Sequence, residues 1–378
     1  MSEEQYTPDW PTAYSKLNAS GRYRVKDEDF QVTELTNRQL KQEGGHLYVL
    51  VEKQGTNTHW LARKLSNHAQ CNLKDVGYAG LKDRHAVTRQ WFSVPLKNGK
   101  APDLSHLFES DEFTLLAQGF YGAKLKRGAL GGNRFRLVIR DIEGSEAELN
   151  QRLELIKQRG VPNYFGPQRF GHDYENLKQA AQLFKSGKRP RNRQKASMYY
   201  SAARSYLFNE MLKQRIENQQ WDIPVEGEVY GFAGSLRGFK RENTAEETQR
   251  WREQETHPTV AMWGKGEALS EGLLSELENN VAQAHPLFAE GLCKQGMKQE
   301  RRATRMLIPD LFWQWSEDEE QRGKRNLVLH FSLPSGYYAT SLLRELGDFT
   351  EAERSTEWMD RKQSEGSGEV KHDEHTAK

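Results

Sequence analysis

Cysteine is scarce in this 378-residue chain, which contains only Cys71 and Cys293. No CxxC pair occurs, and no cysteine clusters with histidine. A disulfide-stabilised scaffold and a zinc finger are therefore excluded. Cysteine usage of this kind is typical of a protein of the reducing cytoplasm, which is where we expect the chain to act.

Long apolar runs are also missing. The longest uninterrupted run is Leu47 to Val51, whereas a membrane-spanning helix needs about 20 residues. The first ten residues carry three acids and no base, unlike the start of a secretory signal. Neither GxGxxG nor GxxxxGK[ST] occurs, and the histidines lack the spacing of metal ligands. We therefore expect no membrane association, no cofactor and no metal.

Aromatic residues, by contrast, make up 10% of the chain and include nine Trp and sixteen Phe. A disordered chain is poor in such residues, so we expect a folded core. The length is more than one ordinary domain needs.

The net charge of +2 is an average over unlike parts. Residues 350–378 contain eight acids and five bases, which leaves +5 for the rest of the chain. Two blocks, residues 122–140 and 185–195, each hold six bases and no acid. Such blocks suggest a polyanionic partner, although a block of this kind is more often a solvated face.

The first 160 residues mix strand and helix patterns without regular β-α-β alternation, which favours an α+β fold. His46 to Lys53 and Thr88 to Leu96 are predicted strands, and Asn57 with Thr58 is predicted to cap a helix. Ser145 begins a second predicted helix that ends at Gly160.

Helical patterns dominate after residue 160. Asn176 to Phe184 and Ser197 to Leu212 are predicted helices, as is Gln299 to Met306, whereas residues 242–263 carry few strand signals. Strand patterns return at Asn326 to Leu333. These changes predict a discontinuous strand-rich domain (1–160 and 308–350), an inserted helix-rich domain (161–307) and a disordered polar tail (351–378).

Residues 76–94, VGYAGLKDRHAVTRQWFSV, contain the first candidate for chemistry. Asp83 stands between Lys82 and Arg84, whose charges favour an ionised, nucleophilic carboxylate. Either cation is expected to hold the carboxylate or to bind phosphates. Taken alone, this pattern is more often a solvated turn. An Asp83–His85 pair is common in sequences, and no serine or cysteine of matching context supports a hydrolytic triad.

Aromatic residues recur beside charged or glycine-rich stretches. Most single aromatic residues belong to the core. A base taken out of an RNA stack nevertheless needs aromatic faces for the base and cations for its phosphates. The chain offers both repeatedly.

Five ordered blocks resemble the TruD family of pseudouridine synthases, and together they span nearly the whole chain except the tail. The blocks are YRVKDEDFQVTE (23–34), GLKDRHAVTRQWFSV (80–94), RGALGGNRFRLVIR (127–140), VPNYFGPQRFG (161–171) and LPSGYYATSLLREL (333–346). Five blocks in the family's order are far more specific than any single one.

The resemblance implies an isomerase that converts uridine to pseudouridine at position 13 of tRNA by flipping out the base. It implies the pseudouridine-synthase fold, a mixed sheet flanked by helices, with an inserted TRUD domain. The family's catalytic aspartate falls on Asp83. The substrate-binding residues fall on Phe30, Asn133 and Tyr338, and Phe135 is a further stacking candidate. The implied partner is tRNA and not DNA, with no cofactor, and the expected state is a monomer.

Several points stay open at this level. Asp83 can act as a nucleophile or as a base for a ribose proton. The family often has Phe at Tyr338, and it often has a glycine where this chain places Tyr174, before Asn176. Two other classes of function are open at this level. One is an RNA-binding or RNA-folding protein whose catalysis is incidental, and the other is a glycoside or nucleoside hydrolase, which needs a second carboxylate that no spacing identifies.

Overall fold

The computed structural model describes residues 9–109, 112–187, 192–242, 244–319 and 321–352. From residue 353 onward, the expected disordered tail lies outside the described residues. Residues 188–191 of the second basic block lie outside them as well.

Strands and helices both run through the described ranges. The strands are β1 (Ser20–Tyr23), β2 (Phe30–Leu35), β3 (His46–Gln54), β4 (Gly77–Tyr78), β5 (Val87–Pro95), β6 (Phe113–Tyr121), β7 (Gly132–Glu143), β8 (Val161–Pro162), β9 (Val229–Gly231), β10 (Gly238–Lys240), β11 (His257–Met262), β12 (Glu300–Ala303), β13 (Arg305–Met306), β14 (Phe312–Glu317), β15 (Arg325–Pro334) and β16 (Asp348–Glu351). The helices are α1 (Thr58–His68), α2 (Glu146–Arg159), α3 (Glu175–Ser186), α4 (Arg193–Glu217), α5 (Ala245–Arg252), α6 (Gly272–Ala284), α7 (Pro286–Lys294) and α8 (Ala339–Leu346).

The main sheet has the order β14-β15-β7-β2-β5-β3-β6, with β1 beside β7, β16 beside β1 and β4 beside β5. Most neighbours are antiparallel, but β2 pairs with β5 and β1 with β16 in parallel. The expectation of an α+β fold with a mixed sheet is confirmed. Both ends of the chain build this sheet, because β15 pairs with β7 from Leu327↔Ile139 to Pro334↔Gly132.

Helix α1 packs on one face of the sheet, against strands β3 and β5. The Asn57 side chain accepts a 2.9 Å hydrogen bond from the backbone N–H of Trp60, so the predicted cap is confirmed. Leu61 and Leu65 are fully buried in a cluster with Val49 and other strand residues. Thr58, the first residue of α1, accepts a 2.9 Å hydrogen bond from the backbone N–H of Lys82, on the loop that follows β4.

The segment between residues 161 and 307 contains its own sheet, in the order β10-β9-β11-β12. The helix predicted over Gln299 to Met306 is wrong, since β12 and β13 occupy this segment. Strand β11 lies in the stretch that carries few strand signals. All six of its residues are buried, so both faces of the strand are covered. Its sequence therefore lacks the alternation of apolar and polar residues that marks a half-exposed strand.

The two ends of this segment meet in a short antiparallel pair, β8 with β13, in the register Met306↔Val161. Gly160 directly precedes the pair with φ +80, and a Cβ on it would lie 2.4 Å from the Met306 carbonyl oxygen. Adjacent ends are what an inserted domain requires. The domain boundaries themselves stay a prediction.

The turn that leads into α3 is left-handed. Asp173 and Tyr174 have φ of +47 and +59, a conformation that glycine adopts with the least strain. The turn therefore keeps a glycine-like backbone although the chain has Tyr174 there. The backbone N–H of Asn176 still donates to the Phe170 carbonyl at 2.9 Å, so the loop closes onto its own motif.

Candidate active site

The carboxylate of Asp83 lies on the loop between β4 and β5. Its Oδ2 is 2.7 Å from Nη2 of Arg24, and its Oδ1 accepts a 3.0 Å hydrogen bond from the backbone N–H of His85. The side chain of Asp83 is 33% exposed. A cation and an N–H group thus orient a negative charge that a substrate can still reach.

Arg24 directly follows β1 and has φ of +59. Its guanidinium carbon lies 4.0 Å from the ring centroid of Phe30, and Nη1 donates to Oε1 of Glu351 at 3.0 Å. One arginine therefore joins the first strand, the last strand and the Asp83 loop. The sequence patterns did not single out Arg24, although it lies within the first matched block, residues 23–34.

Lys53 is a second residue that the sequence patterns missed. It is 1% exposed, and its ammonium donates to the carbonyl of Thr56 at 2.5 Å and to that of Asp83 at 3.4 Å. Burial lowers the pKa of Lys53 to about 8, and the charge of Asp83 opposes that shift. Lys53 holds the backbone of the loop rather than its carboxylate.

Lys82, the neighbour of Asp83, points into a polar network. Its Nζ is 2.8 Å from Oε1 of the fully buried Glu34 and donates to Oδ1 of Asn133 at 2.8 Å. Burial raises the pKa of Glu34, while the Lys82 charge opposes the rise. Arg84 donates from Nε to the carbonyl of Gly55 at 3.2 Å. The side-chain contacts of Lys82 and Arg84 therefore tie the Asp83 loop to the neighbouring strands and to Gly55.

Phe30 and Phe135 lie on adjacent strands and are only 9% and 8% exposed. Their rings meet edge to face at 6.2 Å, and Phe135 also stacks on Phe331 at 5.2 Å. The Arg24 guanidinium lies over the ring of Phe30. Both rings thus form part of the core beneath the site.

Tyr338 is half-buried and directly precedes α8. Its ring meets Phe165 edge to face at 5.9 Å, and the guanidinium carbon of Arg169 lies 5.9 Å from its centroid. The loop that carries Tyr338 follows β15, near whose end Leu333 pairs with Asn133 in the sheet. The structure thus places Asn133 between the Asp83 loop and the Tyr338 loop.

Among the residues that the structure describes, no group of three or more His, Cys, Asp or Glu residues is arranged to hold a metal ion. No helix there has both the length and the apolar character needed to cross a membrane.

Known proteins place the chain in a family. The family profile described as tRNA pseudouridine synthase D (TruD) matches residues 12–189 and 174–346. The tRNA pseudouridine synthase D of Methylococcus capsulatus is 43% identical over 342 residues, which cover 90% of this chain and 95% of that protein. That of Nitrosococcus oceani is 43% identical over 87% of this chain and 90% of its own length.

A solved structure agrees with these relatives. The crystal structure of a TruD protein from Methanosarcina mazei matches with a TM-score of 0.69 and 25% identity, over 89% of this chain and 95% of that one. The expected resemblance and the fold that it implies are confirmed. The chain belongs to the TruD family of tRNA pseudouridine synthases, which are isomerases.

Proposed function

We propose that this chain converts uridine to pseudouridine at position 13 of tRNA, with Asp83 as the catalytic carboxylate. The observation that carries the proposal is the Asp83–Arg24 contact of 2.7 Å on a partly exposed loop. Asn133 lies next to that loop through Lys82. A charged, oriented and reachable carboxylate is the one group that the reaction requires.

The isomerisation is balanced without a redox step. The bond from N1 of the base to C1′ of the ribose breaks, and a bond from C5 to C1′ forms. The proton that leaves C5 is matched by the proton that N1 gains. Asp83 either attacks C1′ or removes a ribose proton, and both routes need an ionised carboxylate. Arg24 stabilises that charge before the reaction and after it.

The target base has to leave its stack before Asp83 can reach the sugar, which costs a few kcal/mol. We assign its stacking to Tyr338, whose ring is half-buried beside Phe165. Stacking of one base on an aromatic ring offsets about 1–3 kcal/mol. Phe30 is the second substrate-binding residue proposed, and it acts from beneath the Arg24 guanidinium that lies over its ring. Phe135 supports Phe30 from below.

Asn133 is proposed to bind the edge of the flipped base. Its Oδ1 accepts from Lys82, which leaves its amide N–H groups to donate to a uracil carbonyl. We further propose a monomer that acts in the cytoplasm on tRNA and not on DNA.

The test is to map pseudouridine at single-nucleotide resolution in tRNA from cells with and without this protein. We expect the signal at position 13 to disappear when the protein is removed. The purified protein should form pseudouridine at position 13 of an unmodified tRNA transcript, but not in a transcript that has cytidine at that position. Pseudouridine that persists at position 13 without the protein, or that forms elsewhere in both transcripts, contradicts the assignment.

A further inference from the structure

A cavity of about 280 Å³ lies apart from Asp83. Its walls come from the loop after β8, from α4, from the loop after β9 and from residues 335–337 before α8. Arginine and serine dominate its polar lining, and none of the described residues that line it is acidic. A cavity with cations and no carboxylate is arranged for an anion.

Arg302, on β12, is one of the arginines that line this cavity and is 7% exposed. Its Nη2 donates to Oδ1 of Asn163 at 2.7 Å and to the carbonyl of Gly336 at 2.9 Å, and both acceptors are neutral. Its Nε is buried and has no hydrogen-bond partner among the described residues. Burial lowers the pKa of Arg302 to about 10, and the charge of Arg169 acts in the same direction. A buried cation without a counter-charge destabilises the fold, and a bound anion would relieve that cost.

Arg169 is the second cation. Its Nη1 donates to Oγ of Ser201 at 3.1 Å, and its Nε is also buried without a partner among the described residues. Ser205, on the same helix as Ser201, is fully buried with an unpartnered hydroxyl. The cavity therefore holds two uncompensated guanidinium groups and a spare hydroxyl donor.

A third arginine of the cavity lining, Arg204, has the acidic partner that Arg169 and Arg302 lack among the described residues. Arg204 pairs with Glu300 at 2.8 Å and also donates to the carbonyls of Trp263 and Met262. The other two arginines have the ring of Phe165 instead, at 5.3 and 4.1 Å from their guanidinium carbons. A ring attracts a cation far more weakly than an anion does in a buried site.

We propose that Arg169 and Arg302 bind one phosphodiester group of the substrate RNA in this cavity. This inference rests on the proposed function and names a contact that positions the substrate. Guanidinium groups match the oxygens of a phosphate in pairs. The position favours RNA over a free anion, because Arg169 also lies over the ring of Tyr338, our stacking residue. In addition, Ser335 of the cavity wall donates to the Leu130 carbonyl within the first basic block.

The test compares RNA binding by Arg169→Gln and Arg302→Gln with that by the wild type, measured by filter binding of a tRNA transcript over a range of salt concentrations. We expect each variant to bind about tenfold more weakly. The slope of log affinity against log salt should fall by about 0.7–0.9, the loss of one phosphate contact. Arg169 is half-buried, so its variant reports on the site even where Arg302→Gln fails to fold.

Arg250→Gln is the matched control. Arg250 also lies over a phenylalanine ring, that of Phe232, at 5.5 Å, but its side chain is 37% exposed and paired with Glu255 at 3.0 Å. This control loses the same charge and the same kind of ring contact, and we expect it to keep the affinity and the salt slope of the wild type. Folded variants at Arg169 and Arg302 that behave like this control overturn the proposal.

Two further measurements distinguish an RNA phosphodiester from a free anion as the occupant of the cavity. A transcript with one neutral methylphosphonate linkage beside the target nucleotide should lose the affinity that Arg302→Gln loses, and the two changes should not add. If inorganic phosphate stabilises the wild type thermally while the variants keep full RNA affinity, the cavity binds a free anion, and the RNA proposal is overturned. These assays measure RNA binding and do not depend on catalysis. A wild type that binds RNA but forms no pseudouridine therefore refutes the proposed function and leaves the phosphate-site proposal standing.

Discussion

Replacing Arg24 with methionine removes the cation beside Asp83 and keeps most of the aliphatic contact with Phe30. A hydrogen bond to a charged group contributes about 1.5–3 kcal/mol, which corresponds to a loss of about 10- to 150-fold in kcat/KM. Asp83 and Glu351 are 33% and 49% exposed and regain water when the arginine is removed. We therefore expect the melting temperature to change little.

The assay is single-turnover pseudouridine formation on a tRNA transcript, with RNA binding measured separately. Arg24→Lys keeps the charge and should retain more activity than the methionine variant. Arg22→Met is the control, because Arg22 lies two residues earlier and forms a partly exposed pair with Asp141, and such pairs contribute little. Wild-type turnover by Arg24→Met, or an equal loss in the Arg22 variant, refutes the role given to Arg24.

Three further predictions concern stability. Lys82→Met leaves the buried Glu34 without its cation and should lower the free energy of unfolding by about 3–5 kcal/mol in urea titrations, whereas adding Glu34→Gln should recover most of the loss. Burial raises the pKa of Glu345 to about 7, so the fold favours its protonated form. The unfolding free energy of the wild type relative to Glu345→Gln should therefore fall by about 3 kcal/mol as the pH rises from 4.5 to 7, and a flat difference contradicts this. Gly160→Ala forces a left-handed alanine against the Met306 carbonyl and should cost about 2–3 kcal/mol by the same titration, so an unchanged midpoint refutes it.

The main sheet could largely be predicted from the sequence, because its strands carry strong local patterns. In β3 (His46–Gln54) a run of apolar residues is closed by Gln54 and Gly55, and β3 begins at the predicted residue. The Asp83 loop was found for a different reason, since its motif is specific to a family. Both predictions depend only on residues that are close together in the sequence.

Strands β11 and β12 could not be predicted in this way. The sequence of β12, Glu300–Ala303, has three charged residues and reads as a polar helix. In the fold Arg301 is buried. Its charge is paired with Glu278 at 2.7 Å, and its Nε donates to Thr259 at 2.9 Å, so the burial is tolerated. Partners far away in the sequence thus override the local propensity.

Arg24 was missed for a related reason. Its contact with Asp83 exists only because β1 and the β4–β5 loop meet at one side of the sheet, and no spacing in the sequence encodes that meeting. The near-complete burial of Phe30 and Phe135 likewise follows from the packing of Phe30 on Phe135 and of Phe135 on Phe331. A motif identifies such residues but not the depth at which they lie.

Asp83→Asn tests the central claim most directly. Asparagine keeps the size of the side chain and an oxygen that can accept from the His85 N–H, but it has no negative charge. With variant in excess over a tRNA transcript, we expect pseudouridine formation to fall by about 10⁴-fold or more, while the RNA dissociation constant stays within about threefold. Pseudouridine formation within about tenfold of the wild type contradicts the assignment of Asp83 as the catalytic carboxylate.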